Sequence, residues 1–348
     1  MRSRLETLLI AVFLVGSVGL LAWFNLSKPR ILILHSYDQG YSWVKDVNAG
    51  IRRVLDQRGD YTVRWYYLDT KRHPWPDFKD NAGLAARRMI DEMQPEVILA
   101  VDDDAQNYVS RHYLNHPHIR IVFAGVNNAP GNYGFDRARN VSGILERLPL
   151  DALKETLLIA AQRGGLPMPM PLRIRFIGDR SETVLGDEKT FSGHDWSPFI
   201  VQPSRLVDTW PEWQQAVAEA ATDTDVLITS NYRKLLRATD DPRLLPPAEV
   251  IGWTEAHARP FFIGTNAFFA EDGGMLAIGT SPYEQGEVAA RLAVEAIDAI
   301  PQSQPMPRPF SATRQFVVAL RGSALHARHF NLPRVYEASA RASNKYFE

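Results

Sequence analysis

The stretch at residues 30–50, RILILHSYDQGYSWVKDVNAG, constrains the fold more than any other part of the chain. An apolar run of strand length ends in a Ser-Tyr-Asp turn, and a helix-period segment then opens on Ser42 and Trp43. A strand that stops at a polar turn before a helix collects polar groups at the carboxyl edge of a sheet, where open α/β folds bind ligands.

The same alternation continues along the 348 residues, and this length suits two lobes better than one. Strands are expected at 30–34, 62–68, 97–101, 119–124 and 140–145, with helices at 44–55 and 78–93. Asp151 is the expected N-cap of a helix running to residue 161. RGGLPMPMPLR, residues 163–173, reads as a Gly/Pro linker into a second series of the same kind. That series has strands at 173–177, 199–201, 226–229, 261–264 and 275–279, and helices at 182–191 and 211–221. A long helix at 282–300, a Pro-rich crossing at 301–309, a strand at 315–320 and a short helix complete it. The expected fold class is α/β, two doubly wound parallel-sheet lobes. Residues 28–146 with about 280–310 form lobe 1, and 147–279 with about 311–348 form lobe 2.

Ahead of the lobes, MRSRLET leads into an uncharged apolar run at residues 8–24. A hydrocarbon core takes roughly 17 to 25 residues of helix, and Trp23 suits the interface. Arg2 and Arg4 hold the start in the cytoplasm. The run ends WFNLSK rather than in spaced small residues, which favours a retained anchor, residues 1–27, over a cleaved signal. The expected location is the cytoplasmic membrane, single-pass, with the globular part in the periplasm or extracytoplasmic space; a cleaved signal would leave it periplasmic. The net charge of −1 shows no basic excess for a nucleic acid partner, and the absence of cysteine excludes disulfides, thiolate metal sites and a lipid-anchored cysteine.

Polar turns follow strands repeatedly: Ser36, Tyr37 and Asp38; Asp102 to Asp104; Asn127 and Asn128; and Ser230, Asn231 and Tyr232 in the second half. Each alone fits a helix cap; their recurrence points to one crevice. Asp102 to Asp104 could cap a helix, hold a hard cation or meet a ligand ammonium, with at most two facing one ion. His112, His116 and His118 are better read as a solvated helix end beside Pro117 than as zinc ligands. Ser281 and Glu284 have capping-box spacing around Pro282, so Tyr283 is the better contact candidate there. Tyr37, Trp43 and Tyr232 stand near the turns, where they could stack on a planar ligand. No P-loop, GxSxG elbow or HExxH occurs, so an enzyme, a metal and a cofactor are not expected.

ILILHSYDQGYSW, the pair IVFAGVNNAP and VSGILE, GTSPYEQGEVAARLA, and FVVALRGSALHARHFNLPRV occur in this order over about residues 30–340. Together they resemble the ABC transporter substrate-binding protein family, with the type 1 periplasmic binding fold, whose relatives also serve as extracytoplasmic sensor domains. The resemblance implies two lobes joined by three crossings and a small ligand clasped by hinge closure; members bind aromatic and other amino acids. It points to Ser36, Tyr37, Asn127, Tyr283 and Gln285 as cleft residues, and to Asp102 by its place after the third strand.

The expected function is extracytoplasmic capture of a small polar molecule for an ABC permease. Ser36 and Ser281 with helix-start amides would take an anionic group, Asp102 or Asp38 an ammonium, and Tyr37 or Tyr232 the body of the ligand. The alternative is a membrane-anchored sensor or adaptor working with a separate kinase or cyclase. A hydrolase using Asp38, Asp102 and Asp104 has only composition behind it.

Overall fold

The computed structural model describes residues 2–163, 166, 171–299, 306 and 310–348. The linker expected at 163–173 and the crossing expected at 301–309 lie largely outside the described residues. The apolar runs form strands as their pattern requires. Lobe 1 carries β1 (Arg30–His35), β2 (Thr62–Tyr67), β3 (Val97–Val101), β4 (Arg120–Val126) and β5 (Val141–Leu145). Lobe 2 carries β6 (Arg173–Asp179), β7 (Ile200–Val207) and β8 (Val226–Thr229), then a hairpin of β9 (Leu236–Ala238) and β10 (Asp241–Leu244), then β11 (Phe261–Gly264) and β12 (Leu276–Thr280). β13 (Ser311–Ala312) returns to lobe 1, while β14 (Phe316–Arg321) and β15 (Tyr346–Phe347) end the sheet of lobe 2.

Both sheets wind outward from their first strand. The orders are β13-β5-β4-β3-β1-β2 and β15-β14-β12-β11-β8-β6-β7. In each, the direction of winding reverses beside the first strand, so a crevice opens at the carboxyl ends of β1 and β3, and again at those of β6 and β8. The expectation of two purely parallel sheets is corrected at one edge. β14 runs antiparallel to β12, because the chain reaches it from lobe 1 and enters from the opposite end.

The lobes exchange chain three times. β5 leads into the Leu150–Gln162 helix of lobe 2, β12 leads into the Pro282–Asp298 helix that packs on lobe 1, and β13 leads into β14. The Pro282–Asp298 helix crosses the Ser42–Leu55 helix at backbone contact. A Cβ on Gly286 would lie 2.0 Å from the Val47 carbonyl oxygen, and one on Gly50 would lie 2.1 Å from that of Tyr283. Glycine at both positions is what permits this approach.

Gln285 binds the crossings together: its Oε1 accepts from Gly125 N at 2.8 Å and its Nε2 donates to Thr313 Oγ1 at 2.8 Å. The Glu284 carboxylate accepts from Arg314 N and Gln315 N, so the expected reciprocal capping box is only half formed. Ser281 Oγ accepts from Glu284 N at 3.2 Å, but Glu284 serves the third crossing instead of the helix start. Asp151 likewise is not the N-cap expected of it; Pro149 occupies that position and the helix begins at Leu150.

The N-terminal residues form a 25-residue helix, Arg2–Leu26. Its described side chains run from Leu9 to Asn25, and every large apolar one among them is exposed, from Phe24 at 49% to Val15 at 73%. Among the described residues no helix is long and apolar enough to cross a membrane.

Candidate functional site

The carboxyl ends of β1, β3 and β4 face the first turns of lobe 2, and the two lobes meet there side chain to side chain. Tyr37 hydroxyl lies 3.4 Å from Thr183 Oγ1. Asn127 Nδ2 donates to Asp187 Oδ1 at 3.0 Å, and Asn128 Nδ2 to Glu182 Oε1 at 3.3 Å. The Tyr41 ring sits 5.8 Å from that of Phe268, with the Arg233 guanidinium 5.1 Å and 4.7 Å from the two rings. These contacts run the apolar cores of both lobes into one cluster.

Asp102 is the most unusual residue at this junction. It is 3% exposed, its backbone stands at φ 66° and ψ 166°, and its Oδ2 has no hydrogen-bond partner. That backbone region is essentially reserved for glycine and costs about 1–3 kcal/mol for other residues. Burial pushes the Asp102 carboxyl far up, Lys71 pulls it down, and Asp103 and Asp104 repel it. Trp43 Nε1 stands close enough to ease this charge but closes no hydrogen bond of normal geometry.

The neighbouring carboxylates have assigned work. Asp103 accepts from Asn127 N, Asn128 N and the Tyr133 hydroxyl, the last at 2.7 Å, and so shapes the turn after β4. Asp104 pairs with Lys79 at 2.9 Å; burial raises its carboxyl, but Lys234 and Lys79 outweigh burial and hold it below the usual range. Across the junction burial pushes Asp187 up to about 7, opposed by Ser230, Asn127 and Lys71. Glu146, on the first crossing, is raised by burial and by the charges of Asp187 and Asp102. Lys71 is pushed down to about 8 by burial and by Lys234, with its ammonium 4.3 Å from the centre of the Tyr37 ring and 5.0 Å from that of Tyr41. Buried acids outnumber buried cations here, and Asp102 and Asp104 each keep one carboxylate oxygen without a hydrogen-bond partner.

The structure thus brings Tyr37, Trp43, Asp102 and Asn127 to one edge of lobe 1. Asp38 lies at its rim, accepting from Gly40 N at 2.8 Å with Arg72 3.8 Å away. Ser36 is buried behind the edge. Its Oγ donates to Val101 O at 2.7 Å and accepts from Ala105 N at 2.8 Å, tying β1 to β3 and to the Asp103–Tyr108 helix. Ser281 caps its own helix, Gln285 staples the crossings, and Tyr283 is half-buried at the helix crossing. Tyr232 belongs to the wall of lobe 2: its hydroxyl donates to Asp272 at 2.5 Å and its ring packs against Trp213, Phe268 and Phe269.

Sequence reasoning passed over Lys71, Tyr41, Glu146, Thr183, Asp187 and Arg233. The strand-to-turn rule, applied to β2 and β6 as well, reaches Lys71 and Thr183. Asp187 lies a turn and a half into its helix, where no local pattern marks it. The histidines behave as a turn: His116 Nδ1 accepts from Ile119 N at 3.1 Å. Among the described residues no group of three or more potential ligands could hold a metal ion.

No family model matches this chain, and no curated protein matches it. Solved structures do. An ABC domain in complex with L-Trp from Streptococcus pneumonia superposes with a TM-score of 0.64 at 10% identity, covering 90% of this chain and 98% of that one. A conserved domain protein from Vibrio cholerae gives 0.63 at 14% identity, covering 92% and 100%. A ligand-free, open substrate-binding protein with adhesive properties from Clostridium difficile gives 0.61 at 14% identity, covering 88% and 96%. The wound lobes, the three crossings and these likenesses agree: the chain has the type 1 periplasmic binding fold.

Proposed function

We propose that the protein is an extracytoplasmic solute-binding protein that closes its two lobes over a small molecule carrying a cationic group and a planar body. The observation behind this reading is Asp102: a strained backbone and an unpartnered buried carboxylate oxygen, beside Trp43 and near Lys71, which lies over the Tyr37 and Tyr41 rings, where the two lobes meet. A ligand ammonium would complete the charge that Lys71 only partly offsets, and the aromatic rings would take its body. An amino acid fits this chemistry, and one structurally similar protein was solved with L-Trp. The anion-binding role foreseen for Ser36 and Ser281 drops out of the proposal, since both hydroxyls have partners within the fold.

Closure follows from linkage: a ligand that touches both lobes shifts the equilibrium by its differential affinity for the shut form. That a similar protein was solved ligand-free and open supports a hinged pair. No chemical step and no cofactor is part of this reading. Delivery to an ABC permease is the expected outcome of capture.

The exposed apolar side chains of the Arg2–Leu26 helix support retention at the membrane. A tethered lobe pair also suits a second reading, in which a separate membrane kinase or cyclase senses the closed form.

The test is thermal unfolding of the full chain against amino acids, amines, purines, sugars and organic acids. Ligand at a hundred times its Kd adds about 2.7 kcal/mol. Stabilisation by one cationic class, lost in Asp102→Asn, is the expected result. Stabilisation by none of these classes overturns the proposal.

A further inference from the structure

A depression lies at the opposite end of lobe 1, at the amino ends of β1, β3 and β4. It is a groove of about 1110 Å³ lined by Arg30, Arg120, Arg137 and Arg139, with Glu96 the one lining carboxylate among the described residues. Glu96 is held by Arg30, accepting from its backbone N at 2.6 Å with the guanidinium 3.6 Å away. Arg120 reaches the Ala299 carbonyl oxygen at 3.4 Å and meets no carboxylate among the described residues; burial pushes its pKa down. The Arg137 side chain is 92% exposed, with Asp136 3.9 Å away. Arg139 is exposed, and its side chain pairs with nothing among the described residues. The groove therefore holds a surplus of guanidiniums, whose planar forks match phosphate oxygens.

Its position is as telling as its charge. The apolar N-terminal helix ends at Leu26 and β1 begins at Arg30, which itself lines the groove. Four residues of extended chain span at most roughly 14 Å. We propose that this groove seats the phosphates of anionic phospholipid headgroups at the surface of the membrane that holds the helix, an inference that rests on the anchoring read above. The contact turns the amino ends of the lobe 1 strands toward the bilayer and the interlobe junction away from it. It orients the protein where a tether of a few residues alone would let it swing.

The experiment uses the full chain reconstituted in phosphatidylcholine vesicles, with and without phosphatidylglycerol, and follows backbone hydrogen exchange. Segments 115–120 and 137–141 are expected to exchange more slowly with phosphatidylglycerol only. High salt should abolish the difference, and it should fall about fivefold for each arginine replaced, the ratio that about 1 kcal/mol corresponds to. The variants are Arg137→Gln and Arg139→Gln, both on exposed side chains, so folding is not at stake.

Equal exchange in both lipids with the helix still protected would overturn the headgroup contact and leave the anchor standing. Protection by inorganic phosphate in phosphatidylcholine vesicles, matching that by phosphatidylglycerol, would make this a free-anion site and also overturn it. A chain whose helix gains no protection in either lipid would overturn the anchoring reading and this inference together.

Discussion

Asn127 Nδ2 donates to Asp187 Oδ1 at 3.0 Å, joining the turn after β4 in lobe 1 to the Glu182–Ser192 helix in lobe 2. The bond favours the ionised carboxylate, but burial at this junction outweighs it. Burial raises the Asp187 carboxyl to about 7 from an ordinary value near 3.8. A group whose pKa is raised on folding contributes stability that is full below its unfolded value and is lost as pH rises through the folded one. Its contribution is therefore full below about pH 4 and is lost as pH approaches about 7. Three units correspond to about 4 kcal/mol as an upper bound. Asp187→Asn should make the dependence of denaturant stability on pH shallower across this window, with other buried acids, among them Asp102, Asp103, Glu146 and Glu255, still contributing in the same direction. An unchanged slope would show that Asp187 does not titrate there.

Asp102 carries the second expectation. Replacing it with glycine removes the backbone strain, about 1–3 kcal/mol, and the unpartnered buried carboxylate. Asp102→Gly should raise the unfolding temperature of the ligand-free protein while erasing stabilisation by the ligand. A variant that loses stability would mean that the side chain holds the edge together rather than waiting for a cation.

The helix crossing makes a third. In Gly286→Ala the new methyl would lie 2.0 Å from the Val47 carbonyl oxygen, a backbone atom that yields only if the helices part. Overpacking of this kind costs typically about 1–3 kcal/mol, and denaturant unfolding should show at least that. Gly252, with open space at its Cβ position, is the control: Gly252→Ala should be neutral or better.

These residues also show how far the sequence could be read. Continuous apolar runs such as Val97–Val101 and Val226–Thr229 announce themselves as buried strands, and their order conveys two wound lobes. The direction of β14 was not legible, because alternation along a strand says nothing about its sense relative to a neighbour. Polar residues at strand ends mark the edge where the two lobes meet, but a strand-end position does not say which of them keeps an unpartnered atom. Ser36 and Asp102 follow their strands in the same way, yet Ser36 spends both hydrogen bonds on Val101 and Ala105 while Asp102 Oδ2 has none. Which polar group remains unsatisfied depends on contacts about 65 residues apart in sequence, which no local pattern contains.

Gln285 tests that distinction. Its motif, GTSPYEQGEVAARLA, suggested a ligand contact; the structure instead gives both ends of its amide to the fold, at Gly125 N, Thr313 Oγ1 and, at 3.4 Å, Leu145 O. Gln285→Ala would leave the buried Gly125 N–H without a partner, a cost of about 1–3 kcal/mol. It would also loosen the point where the first and third crossings are tied. The expected outcome is a clear loss of denaturant stability and a wider spread between open and closed lobes in solution scattering, with ligand chemistry unchanged: the same class of molecule should stabilise the variant in the same rank order. Asp102→Asn makes the opposite pattern, with the fold kept and the preference for a cation lost. If Gln285→Ala instead altered which ligands bind while leaving stability intact, the amide would belong to the ligand and not to the hinge.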